Sequence, residues 1–237
     1  MKSFKHLSLM ALLAAALAVL LLTDLSLRLV RSTSAGTVGF GDRVIVIDAG
    51  HGGFDPGAVY GGVEEKNINL VIACRLRDLF TAAGYTVVMT RDTDCSTESD
   101  DVPAASRKAS DIRARVAIAE RYSDSVLISI HQNAFSDTAQ HGTQVFYGAV
   151  HSDSSALAEC IRLAVKTGLQ PDNRREIKKG TGSIYILKNC RVPTVLVECG
   201  FISNPAERKK LLDEEYCRKL AFCIFCGYLQ YESGTGG

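Results

Sequence analysis

Excess charge of either sign is missing from this sequence: 27 lysines and arginines face 26 aspartates and glutamates, a formal net charge of +1. A nucleic-acid partner normally calls for a strongly basic face, so this balance speaks against one. Internal repeats are missing too, and the single low-complexity tract is a short Ser/Thr/Gly stretch at 32–41. One catalytic-size domain is the expected organisation. The run Gly50-His51-Gly52-Gly53 lacks the Lys-Ser/Thr of a phosphate loop and the spacing of a dinucleotide fingerprint, which argues against a nucleotide cradle. No disulfide framework can be read either. The eight cysteines (74, 95, 160, 190, 199, 217, 223 and 226) follow no framework spacing, and most lie inside apolar stretches, where a free thiol serves as a small hydrophobe. Cys223-Ile-Phe-Cys226 sits in a core-helix context, away from the strand-to-helix setting of a redox pair.

What is present begins with a segment unlike the rest. Lys2 and Lys5 precede a run from Leu7 to Leu22 broken only by Ser8, the pattern of an export signal. No small-x-small cleavage site follows directly, and the chain stays leucine-rich to Val30. The run alone makes a helix of about 24 Å, short of a hydrocarbon core of roughly 30 Å. Leu25, Leu27, Leu29 and Val30 close that gap. Residues 1–31 are therefore expected to be an export signal or membrane anchor, 32–42 a linker, and 43–231 the catalytic domain on the extracytoplasmic side.

Within that domain, strand and helix patterns alternate. Short apolar runs at 43–48, 85–90, 126–130, 143–147, 184–187 and 194–197 read as buried strands. Helical spacing marks 67–83, 111–122, 154–167, 205–212 and 214–229, while 94–106 and 170–182 read as polar loops. Alternation of this kind predicts an α/β sandwich with a largely parallel central sheet.

Three of the strands run into residues that do chemistry: Asp48-Ala-Gly-His51, Ser129-Ile-His131-Gln-Asn133 and Val197-Glu198. In open α/β sheets ligands bind at the carboxyl ends of strands, so these residues converge on one edge, with Glu65 close by at a helix start. Two histidines and a carboxylate with one open position form a catalytic zinc set, and a further glutamate then serves as base. His51, Glu65 and His131 are the candidate ligands and Glu198 the candidate base. On residue types alone the two glutamates can exchange roles.

These motifs carry a resemblance. Val46-Ile-Asp-Ala-Gly-His51-Gly-Gly-Phe-Asp-Pro-Gly57, Glu65-Lys66, Ile128-Ser-Ile-His131-Gln-Asn-Ala134 and Val197-Glu198-Cys-Gly-Phe-Ile-Ser-Asn204 together resemble the zinc-dependent N-acetylmuramoyl-L-alanine amidases (amidase type 3). The resemblance implies an α/β three-layer sandwich with a mixed, mostly parallel six-stranded sheet flanked by helices. It also implies zinc on His51, Glu65 and His131, Glu198 as the catalytic glutamate, and the amide between the lactyl group of N-acetylmuramic acid and L-alanine as substrate. Members blocked by an inserted helix carry a longer segment than the one between His131 and Thr143, so that form of autoinhibition is expected to be absent. Lys108–Arg115, Leu169–Glu176 and Ile184–Lys188 resemble the germination (spore-cortex) amidases of endospore formers, which strip the peptide before muramic-δ-lactam is formed. That subgroup implies action at the cell membrane or wall, including the forespore intermembrane space, and leaves room for an activating partner protein. Asn133, Arg174 and Arg175 are expected to meet the substrate, the arginines as part of a basic loop. Two other readings stay open: a zinc peptidase cutting within the stem peptide, and an inactive wall-binding module. Glu198 speaks against the module, because pure binding needs no base.

Overall fold

The structure, a computed structural model, describes residues 43–98 and 103–235. The expected anchor and linker, 1–42, lie outside the described residues. Among the described residues, no helix is long and apolar enough to cross a membrane.

Continuous β-branched sequence builds the centre. Strand β1 (Val44–Ala49) is buried along nearly its whole length, and β5 (Ser125–Asn133) and β8 (Thr194–Phe201) likewise. A strand buried on both faces must be covered on both. With β4 (Val87–Met89), β6 (Gln144–Tyr147) and β7 (Lys178–Lys179) they form one six-stranded sheet in the order β4-β1-β5-β8-β6-β7. Every pairing is parallel except β6 against β8.

Alternate residues of these strands face two different layers. Ile45, Ile47, Ile128, Ile130, Val195 and Val197 pack in the larger core, beneath α1 (Glu65–Ala82), α3 (Ser154–Gly168) and α6 (Glu214–Thr235). Val46, Leu127 and Leu196 point the other way, toward α2 (Arg107–Ala119) and the short α4 (Tyr185–Asn189). The short α5 (Pro205–Leu211) packs against β8 and α6. Phe80 fills the junction of α1 and α6, with Tyr85, Phe225 and Tyr228 edge-on to its ring at 5.4, 5.0 and 5.0 Å. The expected three-layer α/β sandwich is the observed fold.

Two local readings change. The run at 184–187 forms helix α4, not a strand; Ile186 and Leu187 turn inward while Tyr185 and Lys188 stay out. Four apolar residues are too few to separate a period of 2 from one of 3.6. The sixth strand is instead Lys178–Lys179, inside the expected basic loop, paired with Phe146 and Tyr147. Two exposed lysines suit an edge strand, because charge there discourages further pairing. A small hairpin, β2 (Val59–Tyr60) and β3 (Val63–Glu64), precedes α1, and Gly61 and Gly62 supply its two positive φ values. The cysteines are all free; Cys190, Cys199, Cys217 and Cys223 are buried as expected, whereas Cys95 is exposed.

The end of β1 is locked by a buried carboxylate. Asp48 is fully buried, and it accepts from Thr90 Oγ1 (2.7 Å), Ser129 Oγ (2.5 Å) and Arg115 Nη1 (2.7 Å). Burial alone would raise its pKa; Arg115, with His131 and the two hydroxyls, outweighs that and holds it at about 2. The folded value lies below the unfolded one, so this stabilisation is complete above about pH 4 and lost as pH falls toward 2, a difference of about 2 kcal/mol. Denaturant melts at stepped pH should therefore show the native protein losing stability faster than Asp48→Asn across that window. Parallel curves would refute the assignment.

Candidate active site

After β1 the chain turns back over the sheet edge, and the turn is shaped to admit His131. A Cβ on Gly50 would stand 2.2 Å from His131 Nε2, so this position needs glycine. His51 itself has φ +62°, the one non-glycine residue in that region among the described residues. Its Nδ1 lies 2.8 Å from Asp55 Oδ2, which leaves Nε2 to face Glu65 Oε1 at 3.2 Å.

Glu65 opens α1 and is buried. Its Oε1 lies 3.1 Å from His131 Nδ1 and accepts from the Gln132 N–H (3.0 Å) and Asn69 Nδ2 (3.2 Å). Its Oε2 accepts from the Ala58 N–H at 2.9 Å. Asn69 in turn donates to the Gly50 carbonyl and accepts from Gln132 Nε2, which ties helix, turn and strand together. The two imidazoles meet edge-on with centroids 4.9 Å apart. One ligand atom from each of His51, Glu65 and His131 falls within 4.8 Å of the others, a group able to hold a metal ion.

The electrostatics match that geometry. Burial opposes the Glu65 charge, but His131 and His51 outweigh it and hold the carboxyl far below its usual range. Burial also opposes charge on His51, yet Asp55 and Glu65 raise it to about 9. A buried anion beside two imidazoles calls for a cation, and a dication fits the donor set of two nitrogens and a carboxylate.

Glu198 comes from β8 and pairs in register with His131 on β5, so their side chains share a face. Its Oε2 is buried and has no hydrogen-bond partner among the described residues. Burial, with the Glu65 charge adding and the two histidines opposing, pushes its pKa up to about 7. A group there can both take and release a proton near neutral pH.

His51, His131 and Glu198 line a cleft of about 240 Å³, together with Asp55, Lys108 and Ile112 and with Ser183, Ile184 and Tyr185. The three substrate-contact candidates lie elsewhere. Asn133 accepts the Ile202 N–H through its carbonyl, at the end of β5. Arg175 donates to the His141 carbonyl and to Gln140 Oε1 and covers the Phe201 ring, while Arg174 is exposed. None of them lines the cleft. Conversely, Asp55 and Lys108 escaped the sequence reading, though Asp55 follows His51 by four residues in a glycine-rich turn; Lys108 Nζ lies 3.1 Å from Asp55 Oδ2.

Comparison with known proteins agrees with the motifs. Residues 45–228 match the N-acetylmuramoyl-L-alanine amidase family. The germination-specific N-acetylmuramoyl-L-alanine amidase of Bacillus subtilis is 35% identical over 82% of this chain and 81% of its own length. The amidase LytC of the same organism is 33% identical over 80% of this chain, which corresponds to 35% of LytC. Among solved structures, the CwlD amidase of Clostridioides difficile, in complex with the GerS lipoprotein, superposes with a TM-score of 0.77. It is 37% identical and the match covers 81% of this chain and 99% of that one. The chain thus belongs to the N-acetylmuramoyl-L-alanine amidase family and is an amidase of peptidoglycan.

Proposed function

We propose that this protein is a zinc amidase that frees L-alanine, and with it the stem peptide, from the lactyl group of N-acetylmuramic acid in spore-cortex peptidoglycan. The observation that carries the reading is that His51, Glu65 and His131 gather at a cleft lined by His51, His131 and Glu198, where Glu198 has a buried oxygen without a hydrogen-bond partner among the described residues. The cortex role rests on the likeness to the germination-specific amidase and to CwlD.

His51, Glu65 and His131 hold the metal, with Asp55 fixing the tautomer of His51 through Nδ1. Zinc held there supplies a Lewis acid for the scissile carbonyl and a nucleophile at neutral pH. Glu198 accepts the proton of the attacking water and delivers it to the departing alanine nitrogen. Ile112 and Ile184, which line the cleft, offer apolar contact to the lactyl and alanine methyl groups, and the exposed Lys108 offers charge to carboxylates of the peptide. Residues 1–31 export or tether the domain, 32–42 link it, and 43–231 carry the reaction on the outer side of the membrane. CwlD was solved with a lipoprotein, and a partner of that kind is the activating protein proposed for this chain.

Digestion of purified sacculi and of cortex peptidoglycan, with zinc or with a chelator, tests the reading. Mass spectrometry should find peptide-free muramic acid and newly free L-alanine amines only when zinc is present. Cuts inside the stem peptide would make the enzyme a peptidase; intact polymer with bound zinc, with and without a lipoprotein partner, would point to a wall-binding module.

Glu198→Gln should keep its zinc and lose roughly 10²- to 10⁴-fold in turnover, whereas His51→Ala should lose metal and activity together. Metal content and initial rates of the two variants decide this, and near-normal turnover in the glutamine variant would remove Glu198 from the role of base.

A further inference from the structure

Two arginines converge on the backbone of the turn that carries His51. Arg91, just after β4, and Arg115, on α2, are 3% and 2% exposed. Arg91 Nε donates to the carbonyls of Ala49 (2.8 Å) and His51 (2.6 Å), and its Nη2 to that of Gly50 (3.0 Å). Arg115 reaches the same turn from α2, with Nη1 on Ala49 O (2.8 Å) and Nη2 on His51 O (2.8 Å). Three consecutive carbonyls are thereby held by two guanidiniums.

Arg91 also reaches the second ligand-bearing element. Its Nη2 donates to the Lys66 carbonyl at 2.8 Å, in the first turn of α1 directly after Glu65. One planar group thus bridges the turn of His51 and the helix start of Glu65. We infer that Arg91 is a positioning residue that sets the spacing of His51 and Glu65, with Arg115 as its brace. This rests on the reading of His51 and Glu65 as metal ligands.

Ordinary structural support would not call for this arrangement. Arg91 has no ion pair among the described residues, and its hydrogen bonds run to carbonyl oxygens alone. Arg91 and Arg115 both donate to the carbonyls of Ala49 and His51, so two guanidiniums are held against one turn. Arg115 is anchored by Asp48 (2.7 Å) and Asp111 (2.8 Å), and Asp111 accepts from the Thr97 N–H and hydroxyl. A Cβ on Gly52 would stand 2.3 Å from the Cys95 carbonyl and 2.7 Å from Arg91 Nε, so glycine there leaves room for both. The result is a His51 backbone at φ +62°, a region that side-chain-bearing residues rarely enter and that surroundings must impose. Lysine cannot substitute, since a single ammonium cannot span the fork of a guanidinium.

The test uses the full chain with Arg91→Lys, Arg115→Lys and, as a milder variant outside the turn, Asp111→Asn. Zinc affinity is read by competition with a chromophoric chelator, ligand geometry by the visible spectrum of the cobalt-substituted protein, and folding by circular dichroism and the melting point without metal. Positioning predicts that folded Arg91→Lys loses about 10- to 100-fold in zinc affinity and shifts its cobalt bands, with Asp111→Asn losing less. A purely structural role would lower the melting point and leave affinity per folded molecule unchanged; zinc affinity within about twofold in all folded variants would overturn the proposal. Should Arg91→Lys fail to fold, the other two variants decide by the same criterion. Failure of the unaltered protein to bind zinc would instead sink the metal reading itself.

Discussion

A carboxylate shut away from water has to find its partners inside the protein, and Asp48 finds them on three separate elements. Thr90 follows β4, Ser129 lies on β5 and Arg115 comes from α2. Satisfying that one anion fixes the end of β1 against both neighbouring strands and against the helix beneath. Arg115 then spends its remaining donors on Asp111 and on the carbonyls of the next turn. The site inherits its rigidity from this buried pair, because loss of either partner would leave the other charge uncompensated in the core.

From that fixed point the sheet distributes the reactive groups. His51 leaves the end of β1, His131 and Glu198 stand side by side on β5 and β8, and Glu65 arrives from the far layer on the first turn of α1. Parallel strands bring their carboxyl ends to one edge, so residues far apart in sequence meet without any long loop. The two glutamates, alike in composition, are made unlike by their surroundings. Glu65 accepts hydrogen bonds and lies between imidazoles, so it stays anionic. Glu198 has a buried oxygen with no donor, and burial raises its pKa toward neutrality. Divergent environments for paired carboxylates are what separate a ligand from an acid–base group.

Much of this was legible in the chain. Continuous runs such as Val44-Ile-Val-Ile47 announce doubly covered strands, and the four motifs name both the family and the candidate ligands in order. Composition left the roles of Glu65 and Glu198 interchangeable, because the difference lies in burial and donors and not in residue type. The run at 184–187 misled for a related reason. Ile186 and Leu187 are core while Tyr185 is exposed; a short run carries no period, and packing of Ile186 and Leu187 in one cluster with Val116 and Leu196 goes with the helical turn. Arg174 and Arg175 were read as substrate contacts because they are basic and clustered; in the fold Arg175 covers Phe201 and donates to the His141 carbonyl and Gln140 Oε1.

The sequence by itself determined the layer architecture, the edge at which the reactive groups gather and the family, since these follow from hydrophobic period, strand ends and local motifs. Tertiary structure alone decided which side chains complete the site. Arg91 between the His51 turn and α1, and Ser183 to Tyr185 on the cleft lining, depend on approaches between segments tens of residues apart. Hydrogen bonds of that kind are made by direction and distance in the folded chain, and neither is written in the spacing of residues along it.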